Sequence, residues 1–223
     1  MPLMAVTGPT SRTLLKTETL QARLGLADAQ QLLLADVAEE ASALVARYLR
    51  FEPAYASWSE TFEPSEGPRL YLGARPVWAV TSVLDSAGVA LGAEEYRLDV
   101  DASCLVRSTG WRLRTDPPSI VTLDGATEGS WAWTATYTAG WWLETMTGSI
   151  PSGVGQLPAD VRRDFVAICR WLLSQENPLT AAGIKRTKNE GAEIEFFASS
   201  EVDRETGIPC NLTPGLSRWR RVG

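Results

Sequence analysis

Asp99 and Asp101 stand two positions apart in LDVDASC, a spacing that puts both carboxylates on one face of an extended segment. Such a pair could hold a calcium ion, but the glycine and the distant glutamate of a calcium loop are missing, so the stretch reads as a turn between strands. None of the 27 Asp and Glu residues is singled out as half of a glycosidase pair. GVGQ and GSIPSG are not phosphate loops, because no Lys-Ser/Thr follows and no strand leads in. The chain has no histidine. That excludes Ser-His-Asp and Cys-His catalysis and removes the commonest zinc ligand. Chemistry by carboxylates alone stays open. Cys104, Cys169 and Cys210 are too scattered for a disulfide framework and are expected as reduced thiols, at least one of them in a helix core.

Aromatic side chains are the other candidates. WAWTATYTAGWW, residues 131–142, holds four of the nine tryptophans. Coplanar exposed rings would make a glycan platform. Here Trp131, Trp133, Ala135 and Tyr137 fall on one face of a strand, with Ala132, Thr134, Thr136 and Thr138 on the other. That alternation favours core or a subunit interface over sugar binding. Trp141 and Trp142 are adjacent and must point in different directions, so one of them is left as a candidate for an exposed contact, with another protein subunit as its partner.

Composition sets the frame for these residues. At 44% hydrophobic and 22% charged, a chain of 223 residues can bury a sizeable core in one large or two small domains. No apolar run approaches membrane-spanning length, and the first residues lack the unbroken apolar stretch of a signal peptide, which favours cytosolic synthesis. The net charge of −6 is unevenly spread. Residues 28–101 carry thirteen acids against five bases, a balance of −8, whereas Thr206 to Gly223 holds no acid and has Arg218, Arg220 and Arg221. An acidic body with a basic tip is a poor general nucleic-acid binder and a plausible partner for an acidic groove on another protein.

Two long helices and a short one are expected to position everything else. A short one from about Glu18 to Leu24, closed by Gly25, precedes DAQQLLLADVAEEASALVARYLRF. There Asp28 is a suitable N-cap, and Leu34, Val37, Ala41, Leu44, Val45 and Tyr48 make one apolar stripe. Glu39 and Glu40 fall off it as solvated charge. LPADVRRDFVAICRWLLSQ forms the second long helix, with Pro158 at its start and Val161, Phe165, Ile168 and Leu172 as its core stripe. The two long helices are expected to pack on each other.

Between them the period changes from 3.6 to 2. AYASWSETF, RLYLG, VWAVTSVLD, VAL, EYRLD, CLVRS, SIVTL and WAWTATYTAG follow at close spacing with turn residues between them, the pattern of an antiparallel meander, sandwich or small barrel. The fold class is therefore α+β: a small helical bundle with an inserted antiparallel β-domain and an extended C-terminal arm. The expected division is a flexible N-terminus (1–17), a helical part (18–51), the β insertion (52–142), a loop and second long helix (143–177) and the arm (178–223). Within the arm, Ala192, Ile194 and Phe196 alternate with Glu193 and Glu195 as an extended segment with no obvious hairpin partner nearby. GIPCNLTPGLSRWRRVG reads as a tail that orders on a partner.

In this order, GARPVWAVTSVLD (Gly73 to Asp85), YTAGW (Tyr137 to Trp141), LPADVRRDFVAICRWLL and a terminal LSRWRR form a recognisable series. It resembles the head–tail connector (adaptor) proteins of tailed bacteriophages over roughly Leu24 to Leu173, with a looser match at the tail. The β-region here is larger than a minimal connector needs.

What the resemblance implies is an assembly protein without catalysis, cofactor or metal, made in the host cytoplasm and placed in the virion neck. It would form a ring, a dodecamer in the virion, under the portal protein. It would extend the channel through which DNA passes without specific binding, and offer a surface to a stopper or tail-completion protein. Its C-terminal arm, from Ile208 to Val222, would dock on the portal, with Leu216 and Trp219 as apolar anchors and Arg218, Arg220 and Arg221 pairing with acidic groups. The alternatives are another ring-forming neck or tail component, of tail-terminator type, or a β-sandwich carbohydrate-binding module.

Overall fold

The alternation of WTATYTA becomes β7, Trp133–Ala139, whose residues are buried and half-buried in strict turn. In the computed structural model, which describes residues 4–26, 31–112, 132–175, 184–188, 193–196 and 201–220, this strand is the centre of a β-unit. The unit comprises Met1–Pro9, Tyr55–Trp141 and Pro151–Val154. Its other strands are β1 (Met4–Thr7), β2 (Ala56–Phe62), β3 (Arg69–Tyr71), β4 (Val77–Leu84), β5 (Arg97–Asp99) and β6 (Cys104–Val106). They form an antiparallel sheet in the order β1-β2-β7-β4 and a smaller one in the order β3-β6-β5.

The N-terminus supplies a strand where mobility was expected. Met4–Thr7 is a β-branched and apolar stretch that pairs with β2 in the register Met4↔Ser59 and Ala5↔Trp58. Backbone pairing along a ready sheet edge is enough to order a segment that has no amphipathic pattern of its own. SIVTL, Trp131 and the Asp28 cap lie outside the described residues.

The core of the β-unit gathers Trp58, Leu70, Leu72, Val77, Val83, Leu105, Trp111, Trp133 and Tyr137. Trp111 and Trp133 meet edge to face, with centroids 5.7 Å apart and planes at 83°. The Trp133 indole N–H donates to the Trp111 carbonyl at 2.8 Å. Arg107 lies over both rings, its guanidinium 5.3 Å from the Trp133 centroid.

The second unit comprises Thr10–Ala54, Trp142–Ile150 and Gly155–Gly223. It contains α1 (Thr17–Leu24), α2 (Gln31–Leu49), α3 (Ala159–Gln175) and the hairpin of β8 (Ile184–Lys188) and β9 (Glu193–Phe196). Gly25 closes α1 in the left-handed conformation, at φ 69°, and donates to the Gln21 carbonyl. α2 and α3 pack on each other, and of the predicted stripes Leu34, Val37, Ala41, Val45 and Tyr48 on α2 and Val161, Phe165 and Ile168 on α3 are buried, while Leu44 and Leu172 are half-buried. β9 does have a hairpin partner. β8 pairs with it in the register Lys188↔Glu193 and Thr187↔Ile194, a partner that the charged composition of IKRTK conceals. No helix of the described residues is long and apolar enough to cross a membrane.

Candidate functional site

Two of the motifs that carry the resemblance, from Gly73 and from Tyr137, meet in space. Val77 pairs with Ala139, and the Gly140 N–H donates to the Pro76 carbonyl at 2.9 Å. The Tyr137 hydroxyl donates to Glu60 Oε2 at 2.7 Å and accepts the Ala74 N–H at 3.1 Å. The same carboxylate oxygen accepts the Gly73 N–H at 2.6 Å. A Cβ on Gly73 would stand 2.7 Å from Glu60 Oε1, so any larger residue here would push the Glu60 carboxylate aside. Burial, and then the Glu60 charge, push the Tyr137 hydroxyl well above its ordinary value, which keeps it a neutral donor. The arrangement is a knot of hydrogen bonds that ties β2, the Gly73–Ala74 backbone and β7 together.

The C-terminal segment is folded onto its own helical unit. Asp164, on the buried stripe of α3, accepts the Gly215 N–H at 2.6 Å and the Leu216 N–H at 3.0 Å through Oδ2, while Oδ1 takes Arg163 at 3.2 Å. A Cβ on Gly215 would meet Asp160 Cβ at 2.9 Å, so this backbone needs glycine to come close. Ile208 and Leu216 are fully buried. Asp203 caps its own turn through the Thr206 N–H and hydroxyl, and Val202 bridges to Pro209. Arg220 closes the segment: it bonds Asp203 at 2.7 Å and Glu205 at 3.1 Å, with its guanidinium 4.5 Å from the centre of the Tyr48 ring. Glu205 also receives Arg50 through Nε at 3.1 Å and through Nη2. Arg50 adopts φ 63° at the end of α2, a place glycine ordinarily takes, and its side chain is held there by that pair.

The arm residues thus divide. Ile208 and Leu216 serve as core of the helical unit, Arg220 is spent on internal pairing, and Trp219 is half-buried. Arg218 stays 74% exposed beside Asp160. Arg221 lies outside the described residues. The tail carries its own order in residues 201–220, because a buried acid on α3 satisfies its backbone donors. That acid was overlooked in the sequence. Its signal was position: Asp164 falls three residues after Val161 and four before Ile168, on the apolar stripe.

Two tryptophans of the 131–142 stretch are core. Trp133 is fully buried and Trp141 is 2% exposed. Neither can offer a face to a glycan. Trp142 is half-buried and lines a cavity of about 230 Å³ in the helical unit, with Leu14, Leu157 and Arg162. Asp99 ends β5 and Asp101 lies within the β5–β6 turn, where Asp99 accepts the Ala102 N–H at 3.1 Å. No group of three or more metal-ligating side chains occurs among the described residues.

The fold is of the α+β class, with a helical unit and an antiparallel β-unit, and a buried acid of the helical unit holds its tail. Chains of the same fold occur in the neck of a gene transfer agent particle. One, in the neck of the empty particle computed with C6 symmetry, aligns with a TM-score of 0.54 at 19% identity over 100% of this chain and 97% of its own. The neck of the native particle computed with C12 symmetry gives 0.53 and 19%, and the virion of the native particle 0.54 and 20%, at the same coverage. No family model and no curated protein matches the chain. At such identity the likeness is one of fold, and it agrees with the resemblance carried by the motifs.

Proposed function

We propose that this chain is a head–tail adaptor, a structural, non-enzymatic protein of the virion neck that forms a closed ring between portal and tail. The observation that carries the reading is the shared fold across 100% of this chain and 97% of a chain in a particle neck. A neighbour whose neck was computed with C12 symmetry supports a twelve-membered ring around the DNA channel. The net charge of −6 suits a channel that DNA traverses without adhering. A stopper or tail-completion protein would take the opposite face of the ring.

In this reading the C-terminal segment meets the portal as a preformed surface. Ile208 and Leu216 hold its shape from within, while Arg218 and the exposed part of Trp219 make the contact. Mass measurement of the purified chain, alone and mixed with portal rings, tests both parts. The expected result is a defined number of copies on each portal ring and a clear loss of binding in Arg218→Glu. A chain that never associates with portal would overturn the adaptor role. Full binding by Arg218→Glu would overturn the placement of the contact.

A further inference from the structure

The two sheets of the β-unit treat their edges differently. In the smaller sheet the edge strands β3 and β5 carry Arg69, Arg97 and Asp99, charges of the kind that discourage further pairing. Among the described residues, the edge strands of the larger sheet are β1, with the sequence MAVT, and β4, with VWAVTSVL. Neither contains a charge or a proline. Ala5, Val6 and Thr7 of β1 are all exposed, Val6 by 59%, and so are Ala79 and Thr81 of β4. The far end of β4 is covered by its own chain, through the Leu84↔Ala90 bridge and the Leu91 N–H to the Val83 carbonyl at 2.8 Å.

From this we infer that the larger sheet is continued from copy to copy, the β1 edge of one copy pairing with the stretch of the β4 edge from Val77 to Thr81 of the next. Strand direction agrees. Every neighbouring pair in β1-β2-β7-β4 is antiparallel, so β1 and β4 run in opposite senses. In a ring whose copies share one direction along the axis, the next copy's β1 therefore lies antiparallel to β4, and the alternation continues unbroken. The contact joins two different surfaces, the heterologous kind that closes into a ring when the rotation allows. Affinity would come from main-chain hydrogen bonds, as in strand addition generally. The inference rests on the ring reading above and names the surface that makes the ring.

The test uses the full chain with Cys210→Ser, which removes the exposed thiol. Val6→Cys and Thr81→Cys are combined and mildly oxidised under conditions where rings form, with and without portal. A covalent ladder of dimers, trimers and higher species is expected from the double variant. Val6→Cys alone giving dimers would instead mark a two-fold β1–β1 contact and overturn the inference. Val6→Lys and Thr81→Lys are expected to lower the fraction of chain in rings by about tenfold or more while the circular dichroism of the folded chain is unchanged. Rings that form normally in both lysine variants, with no ladder, would overturn the edge pairing and leave the neck reading standing. A chain that yields neither rings nor ladder under any condition would overturn both.

Discussion

The carboxylate of Asp164 accepts the backbone N–H of Gly215 at 2.6 Å, across 51 positions of the chain. One buried acid on a helix thereby fixes where the tail begins its last turn. The contact is charge-assisted and takes a second donor, from Leu216, through the same oxygen. This relationship turns a segment that looks like a loose arm into part of the helical unit.

Replacing Asp164 with alanine leaves two buried N–H groups without an acceptor. The expected cost is about 2–4 kcal/mol, read as a lower midpoint in urea. Asp164→Asn keeps one carbonyl acceptor and is expected to fall between the two. Limited proteolysis should show cleavage within residues 201–220 appearing in the alanine variant before the rest of the chain is attacked.

Acid should release the same segment. For Asp203, burial raises the carboxyl, but hydrogen bonds from Thr206 and Arg220 outweigh it and hold the group below its ordinary 3.8. For Glu205, the hydrogen bond from Arg50 comes first, and the group sits below its ordinary 4.5. A carboxyl lowered by folding adds stability above its unfolded value and loses it as the pH falls through the folded one. Protection of residues 201–220 against hydrogen exchange should therefore hold at neutral pH and fade below pH 4.5. Arg220→Gln is expected to reduce protection at neutral pH and to flatten its acid dependence.

The knot between Gly73, Glu60 and Tyr137 should respond to single atoms. Tyr137→Phe removes the hydroxyl that serves Glu60 and the Ala74 N–H, at an expected cost of about 1–2 kcal/mol. Gly73→Ala places a methyl group 2.7 Å from Glu60 Oε1 and displaces that carboxylate, so it is expected to lower the melting temperature by no more than Tyr137→Phe does. Thermal unfolding followed by near-ultraviolet circular dichroism checks both.

Thiol labelling should distinguish the three cysteines. Burial pushes Cys169 up to about 12 and also raises Cys104, while Cys210 is exposed. The native chain is expected to take label at Cys210 alone, and at all three sites only after unfolding. Fast labelling of Cys169 in the native chain would contradict the packing of α3 described above.

The helices and the central strand were legible because each has a period. The stripe of Val161, Phe165 and Ile168 and the alternation of Trp133, Ala135 and Tyr137 are one-dimensional records of a buried face. β1 and β8 were not legible, since MAVT is too short to show a period and IKRTK reads as charge; both form by backbone pairing with another strand. The tail was misleading for a related reason. Its apolar residues carry no period, and the group that orders them sits on a different element.

The amino-acid sequence by itself determined the α+β class, the absence of histidine chemistry and the buried side of each long element. These follow from composition and from local repeats. Only the tertiary structure decided that Ile208 and Leu216 are core, that Arg220 is engaged with Asp203 and Glu205, and that Trp141 is buried. Those facts depend on which distant groups meet, and a hydrogen bond between Asp164 and Gly215 leaves no periodic trace in the chain that makes it.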